Sequence, residues 1–79
     1  MQRYFFDIHD GDRLHADDEG VVLLDLESAR VEATQTLGHM SCDHAVRSAP
    51  HRFSIEIRDV HKRLLLVATL TLEVKALQH

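Results

Sequence analysis

Seven histidines, a single cysteine and a run of carboxylates are the side chains of this 79-residue chain with the most capacity for chemistry. The tightest grouping is His39-x-x-Cys42-x-His44. Structural zinc takes four tetrahedral ligands at spacings such as C-x₂-C or H-x₃₋₅-H. Only His39 and His44 meet that interval, and on a helix His44 lies well round the axis from the face that His39 and Cys42 share. His9 and His15 are a second candidate pair, facing each other across a hairpin beside Asp12. The carboxylates Asp7, Asp10, Asp12, Asp17, Asp18 and Glu19 suit Ca²⁺ or Mg²⁺ in type. Asp10-Gly11-Asp12 does not match the EF-hand spacing from any starting residue, and turn chemistry explains the stretch more simply. Cys42 with a histidine nearby has the composition of a nucleophile–base pair. Its place near a helix C-terminus would raise a thiol pKa, which is the wrong direction for attack. There is no glycine-rich phosphate loop and no serine nucleophile motif. These readings assign no catalytic residue, no metal ligand and no cofactor, and the chain is expected not to be an enzyme.

The elements that position these groups follow from apolar period. Arg3 to His9 alternates, with Tyr4, Phe6 and Ile8 on one side and Phe5, Asp7 and His9 on the other, which predicts a strand. Asp10-Gly11 is a hairpin signal, and a short polar strand over Arg13–Asp17 follows. Asp17-Asp18-Glu19-Gly20 reads as a turn, or as a bulge at Gly20. Val21 to Leu24 either continues the second strand or lies across the sheet edge. From Asp25 the period becomes helical: Leu26, Ala29, Ala33, Leu37 and Met40 share a face, and Asp25 is a good N-cap. The helix is expected to run through Gly38 to about Val46, the alternative being that Gly38 ends it. Ser48-Ala49-Pro50 closes it. Arg52 to Asp59 alternates again, with Phe53, Ile55 and Ile57 inward. Asp59–Arg63 is a loop, and Leu64 to Lys75 is the longest strand. The fold class expected is α+β: a two-layer β-β-α-β-β sandwich with one helix on a four-stranded, mainly antiparallel sheet, residues 1–79 forming a single domain. The final strand, being the most apolar, is expected at the centre beside the first.

Composition narrows the setting. Apolar residues are 44% and charged residues 28%, an ordinary globular balance. The lone Cys42 excludes an internal disulfide and fits a reducing compartment. No apolar run approaches the 18 or so residues of a membrane span, and the opening Met1–Asp7 lacks the apolar core of a signal peptide, so a cytoplasmic location is expected. The net charge of −4 argues against a general nucleic-acid binder. Its distribution is uneven: residues 1–43 carry −7 and residues 44–79 carry +3. That asymmetry suits either contact between the halves of one chain or contact between two copies. Protonation of all seven imidazoles would carry the net charge from −4 to +3, so association is expected to respond to mildly acidic pH.

Two surfaces are candidates for contact. One helix covers one face of a sheet, so the other face is expected to expose Phe5, Leu65 and Val67, a patch suited to a second copy of the chain. The basic set Arg47, Arg52, Arg58, Lys62 and Arg63 flanks the third expected strand and is the region that binding of nucleic acid or a protein toxin would have to use.

The segments Arg3-Tyr4-Phe5-Phe6-Asp7-Ile8-His9-Asp10-Gly11, Asp18-Glu19-Gly20-Val21, Leu24-Asp25-Leu26-Glu27-Ser28-Ala29-Arg30 and Leu70-Thr71-Leu72-Glu73-Val74 resemble a family of short alphaproteobacterial proteins of the rhizobial type, classed as a domain of unknown function. The resemblance spans nearly the whole chain. The family usually carries Pro before the helix-starting Asp and Gly in the last hairpin loop, where this chain has Leu24 and His61-Lys62. It implies a bacterial setting and supports the fold, and it implies no activity or site residues. The function expected is a small non-enzymatic interaction protein, homodimeric through the uncovered sheet face or an edge strand. The alternatives are a regulatory module for nucleic acid or a protein toxin, and a metal- or pH-responsive histidine-rich protein.

Overall fold

The computed structural model describes residues 1–43, 51–73 and 75–77. The elements in chain order are β1 (Gln2–Asp10), β2 (Arg13–His15), β3 (Val21–Leu23), α1 (Leu26–Asp43), β4 (His51–Arg58) and β5 (Leu64–Leu72). The fold is α+β, with α1 packed on an antiparallel five-stranded sheet of order β2-β1-β4-β5 to which β3 adds by pairing with β1. Arg47, the helix closure at Ser48–Pro50, His44 and Val74 lie outside the described residues.

The core forms where the periods meet. Tyr4 from β1, Phe53, Ile55 and Ile57 from β4, and Ala29, Ala33 and Leu37 from α1 are buried, with Leu66, Ala68, Leu70 and Leu72 of β5 packed against them. Ala29 and Ala33 are wholly buried and bring the helix backbone close to the sheet. Asp25 caps the helix as its type predicts: its Oδ1 accepts the Ser28 N–H at 2.8 Å. This bond and the Ser28 hydroxyl hold the Asp25 carboxyl below its usual pKa. The helix runs unbroken through Gly38.

Two expectations are corrected and one open alternative is decided. First, β5 is not central. It pairs with β4 alone and forms one edge, while β1 and β4 occupy the middle. The three inward residues of β4 are wholly buried, whereas those of β5 are half-exposed, so total apolarity misplaced the strand. Second, β5 ends at Leu72 rather than Lys75, and Glu73 and Lys75 lie beyond it with an ion pair at 3.3 Å. Third, Val21–Leu23 is a strand in its own right. It continues the line of β2 along β1, because β1 pairs first with β3 at Gln2–Tyr4 and then with β2 at Ile8–Asp10. Between those ladders β1 uses three residues, Phe5–Asp7, and the edge uses five, Ala16–Gly20, which makes a wide bulge.

Both hairpins have specific turns. Gly11 has φ 62° and Asp12 is not in the positive region, the pattern of a two-residue II′ hairpin. In the β4–β5 loop the Lys62 N–H donates to the Asp59 carbonyl at 3.0 Å and the Asp59 N–H to the Arg63 carbonyl at 3.1 Å. Lys62 itself sits at φ 64°, the glycine position of a type I turn followed by a G1 bulge.

Candidate functional site

The outer sheet face, away from α1, is organised around charge. β4 places Ser54, Glu56 and Arg58 outward, and β1 places Phe5, Asp7 and His9 beside them in the register Phe5–Arg58, Asp7–Glu56 and His9–Ser54. Arg58 Nε donates to Asp7 Oδ2 at 3.1 Å, Arg58 Nη2 lies 3.5 Å from Glu56 Oε2, and Glu56 Oε1 is 2.6 Å from His9 Nε2. On the helix side, at the end of the same two strands, His51 Nε2 lies 2.7 Å from Asp10 Oδ1. Arg58 and Asp7 thus join the basic second half to the acidic first half within one chain.

This belt runs between the three residues expected to form one apolar patch. Phe5 is half-buried on β1, opposite Arg58. Val67, 51% exposed, lies on β5 beyond Glu56, and Leu65, 39% exposed, sits in a bulge where the register shifts opposite Ile57 and Arg58. β4 with its charged pair separates Phe5 from the other two.

The belt is tied to the bulged edge. Asp7 Oδ1 accepts the Asp17 N–H at 3.0 Å. The Asp17 carboxylate in turn accepts from Phe6 N–H at 3.1 Å, Glu19 N–H at 3.1 Å and Gly20 N–H at 3.0 Å. Burial pushes the Asp17 carboxyl pKa up, but these backbone donors outweigh it and hold the group below its ordinary value. Gly20 has φ 75°, and a Cβ there would lie 2.9 Å from Arg3 Cγ and 3.0 Å from the Tyr4 carbonyl oxygen. The turn chemistry of Asp17-x-x-Gly20 was legible in the sequence; that Asp17 supplies the missing ladder acceptor for Phe6 was not. A groove of about 510 Å³ opens here, lined by residues that include Phe5, Asp17, Asp18, Arg58, Val60 and Lys62.

The basic set does not gather. Arg58 is engaged by Asp7 and Glu56, and Arg63 by Asp59 at 3.0 Å. Arg52 lies six residues from Arg58, about 20 Å along the strand. Lys62 lies in the hairpin loop, and Arg47 is outside the described residues. The histidines disperse likewise. His15 pairs with Ile8 and so takes the helix side of the sheet, opposite His9, which corrects the expectation that they face each other. Among the described residues no three His, Cys, Asp or Glu side chains come together as a metal site. Cys42 is exposed and free. No described helix is long and apolar enough to cross a membrane.

A further surface feature is the open edge of β5. No described strand pairs with it on the side away from β4. A groove of about 550 Å³ runs along it, between α1 at Arg30, Thr34, Leu37 and Gly38 and the strand at Leu66–Leu70.

The strand order, the packing of α1 on the sheet and the bulged edge define an α+β fold. The chain belongs to the family described as Domain of unknown function (DUF6894), whose profile matches residues 3–71. No curated protein and no solved structure matches it.

Proposed function

We propose that this chain is a small non-enzymatic interaction protein of the cytoplasm that works as a homodimer. The observation that supports this most directly is β5: nine residues long, apolar on both faces in its first half, and open along one edge. An edge of that kind presents a row of unpaired backbone groups that a second strand completes. The solution mass measured by light scattering at neutral pH tests the reading. A dimer is expected, and a monomer at every concentration would overturn it.

A second reading, association that responds to pH, is favoured by the two histidine–carboxylate contacts, His9 with Glu56 and His51 with Asp10. Arg58 and Asp7 face the first of these from the same belt. Repeating the mass measurement at about pH 5, where ordinary imidazoles are protonated, tests it. An unchanged mass would remove it.

A further inference from the structure

The two edges of the sheet are treated differently by the sequence. On one side β2 and β3 are three residues each, interrupted by the Asp17 bulge, which blunts that edge against further pairing. On the other side β5 runs from Leu66 to Leu72 without a bulge, a proline or a lysine. Hydrogen-bond phase shows which groups it offers. The Gly11 N–H donates to the Arg52 carbonyl at 2.9 Å, so Arg52 turns its backbone toward β1. Alternation along an antiparallel strand then turns Ile57, Ile55 and Phe53 toward β5, where Leu66, Ala68 and Leu70 receive them. Val67, Thr69 and Thr71 consequently present their N–H and C=O groups outward.

The helix beside this edge offers Arg30, Thr34 and Gly38, one row at i, i+4 and i+8. Glycine inside a helix costs about 1 kcal/mol relative to alanine. Among the described residues nothing requires it at Gly38, since an added Cβ would meet none of their atoms within 4 Å. The space it leaves is on the side of the open strand.

We infer that β5 pairs antiparallel with β5 of a second copy, about a two-fold axis passing between the strands at Ala68 and between the helices at Thr34. The inference rests on the homodimer reading and specifies its interface. The pairing is self-complementary. On the helix side Ala68 meets Ala68 of the second copy and Leu66 meets Leu70. On the outer side Val67 meets Thr69 and Leu65 meets Thr71. The outward phase of Val67 and Thr69 makes them a hydrogen-bonded pair. Helix spacing agrees with this. α1 packs on both β4 and β5, with a lighter contact to β3. With strands about 4.8 Å apart, a helix axis midway over β4 and β5 lies about 5 Å from the two-fold. The two helices then stand about 10 Å apart, within the range of packed helices when the facing residues are small. The same axis sets Arg30 of one copy against the space left by Gly38 of the other. A strip about 30 Å long and about 20 Å deep covers about 600 Å² per copy, near the lower bound for a stable dimer.

The test combines three substitutions with the unsubstituted chain. Thr69→Pro removes an outward N–H that β4 does not use, and Gly38→Gln fills the helix strip; each is expected to weaken dimerisation on the order of tenfold or more, with the circular dichroism spectrum unchanged. Ala68→Cys, in a Cys42→Ser background, is expected to form a covalent dimer on mild oxidation. Facing residues of a non-hydrogen-bonded pair stand about 4.5 Å apart at Cα, within disulfide reach. Because this substitution is small and makes a bond rather than removing one, it remains informative if Thr69→Pro fails to fold. A dimer that survives Thr69→Pro and Gly38→Gln, or an Ala68→Cys chain that does not cross-link, overturns this interface. If that same dimer is lost in Phe5→Asp, the contact lies on the outer sheet face and the homodimer reading stands alone. A monomeric unsubstituted chain overturns both.

Discussion

Asp17 Oδ2 accepts the Phe6 N–H at 3.1 Å, a position where β1 has no partner strand on its β2–β3 side because that edge is bulged. A side chain thus completes the ladder that the backbone interrupts, while Asp17 Oδ1 takes the N–H groups of Glu19 and Gly20. Asp7 holds the same residue from the other side through its N–H, and Arg58 holds Asp7. The bulge and the charged belt of the outer face are one connected unit.

Asp17→Ala leaves the Phe6, Glu19 and Gly20 donors without this acceptor and is expected to cost about 1–3 kcal/mol, read as a lower urea midpoint. The pH dependence has a definite sign. Because its folded pKa is depressed, Asp17 contributes stability above the ordinary carboxylate value near ~4, and that contribution is lost as pH falls through the lowered folded value. Asp25 and Asp59 are depressed in the same direction. Denaturation midpoints are therefore expected to fall below about pH 4, more steeply in the unsubstituted chain than in Asp17→Asn. Equal slopes would show that Asp17 does not contribute.

Gly20→Ala is expected to destabilise by about 2–4 kcal/mol, since positive φ and the approach of the Tyr4 carbonyl both oppose a Cβ. Gly38→Ala should act in the opposite direction, raising the thermal midpoint of dilute protein by the equivalent of up to about 1 kcal/mol. Paired thermal melts decide both.

Lys62→Gly is expected to stabilise the fold by up to about 1 kcal/mol. Relief of the left-handed backbone at φ 64° exceeds the added freedom of glycine in the unfolded chain. A loss of stability would mean that the Lys62 side chain contributes more than its backbone costs.

Arg58→Lys is expected to cost about 1–2 kcal/mol, because an ammonium cannot engage Asp7, Glu56 and the Lys62 carbonyl with separate, fixed donors. Chemical denaturation of this variant beside Arg52→Lys, expected to be neutral, isolates the effect.

A gel shift with mixed DNA and RNA at physiological salt is expected to be absent. Arg58 and Arg63 are already matched by carboxylates, and Arg52 stands apart from them. A salt-sensitive shift abolished by Arg52→Ala would instead support a nucleic-acid role.

Local chemistry determined much of this molecule. Alternation over Tyr4–Ile8 and Phe53–Ile57, the 3.6-residue period from Ala29 to Met40, the Asp25 cap and the Gly11 turn each depend on residues near one another in the chain, and so were readable from the sequence. Strand order, the separation of Phe5 from Val67 by Glu56 and Arg58, and the closure of the bulge by Asp17 depend on which strands lie side by side. Apolar content could not decide that. A helix covering one face makes Leu66, Ala68, Leu70 and Leu72 apolar whether β5 is central or at an edge, and only tertiary packing placed β4 between β1 and β5 and left the β5 edge open.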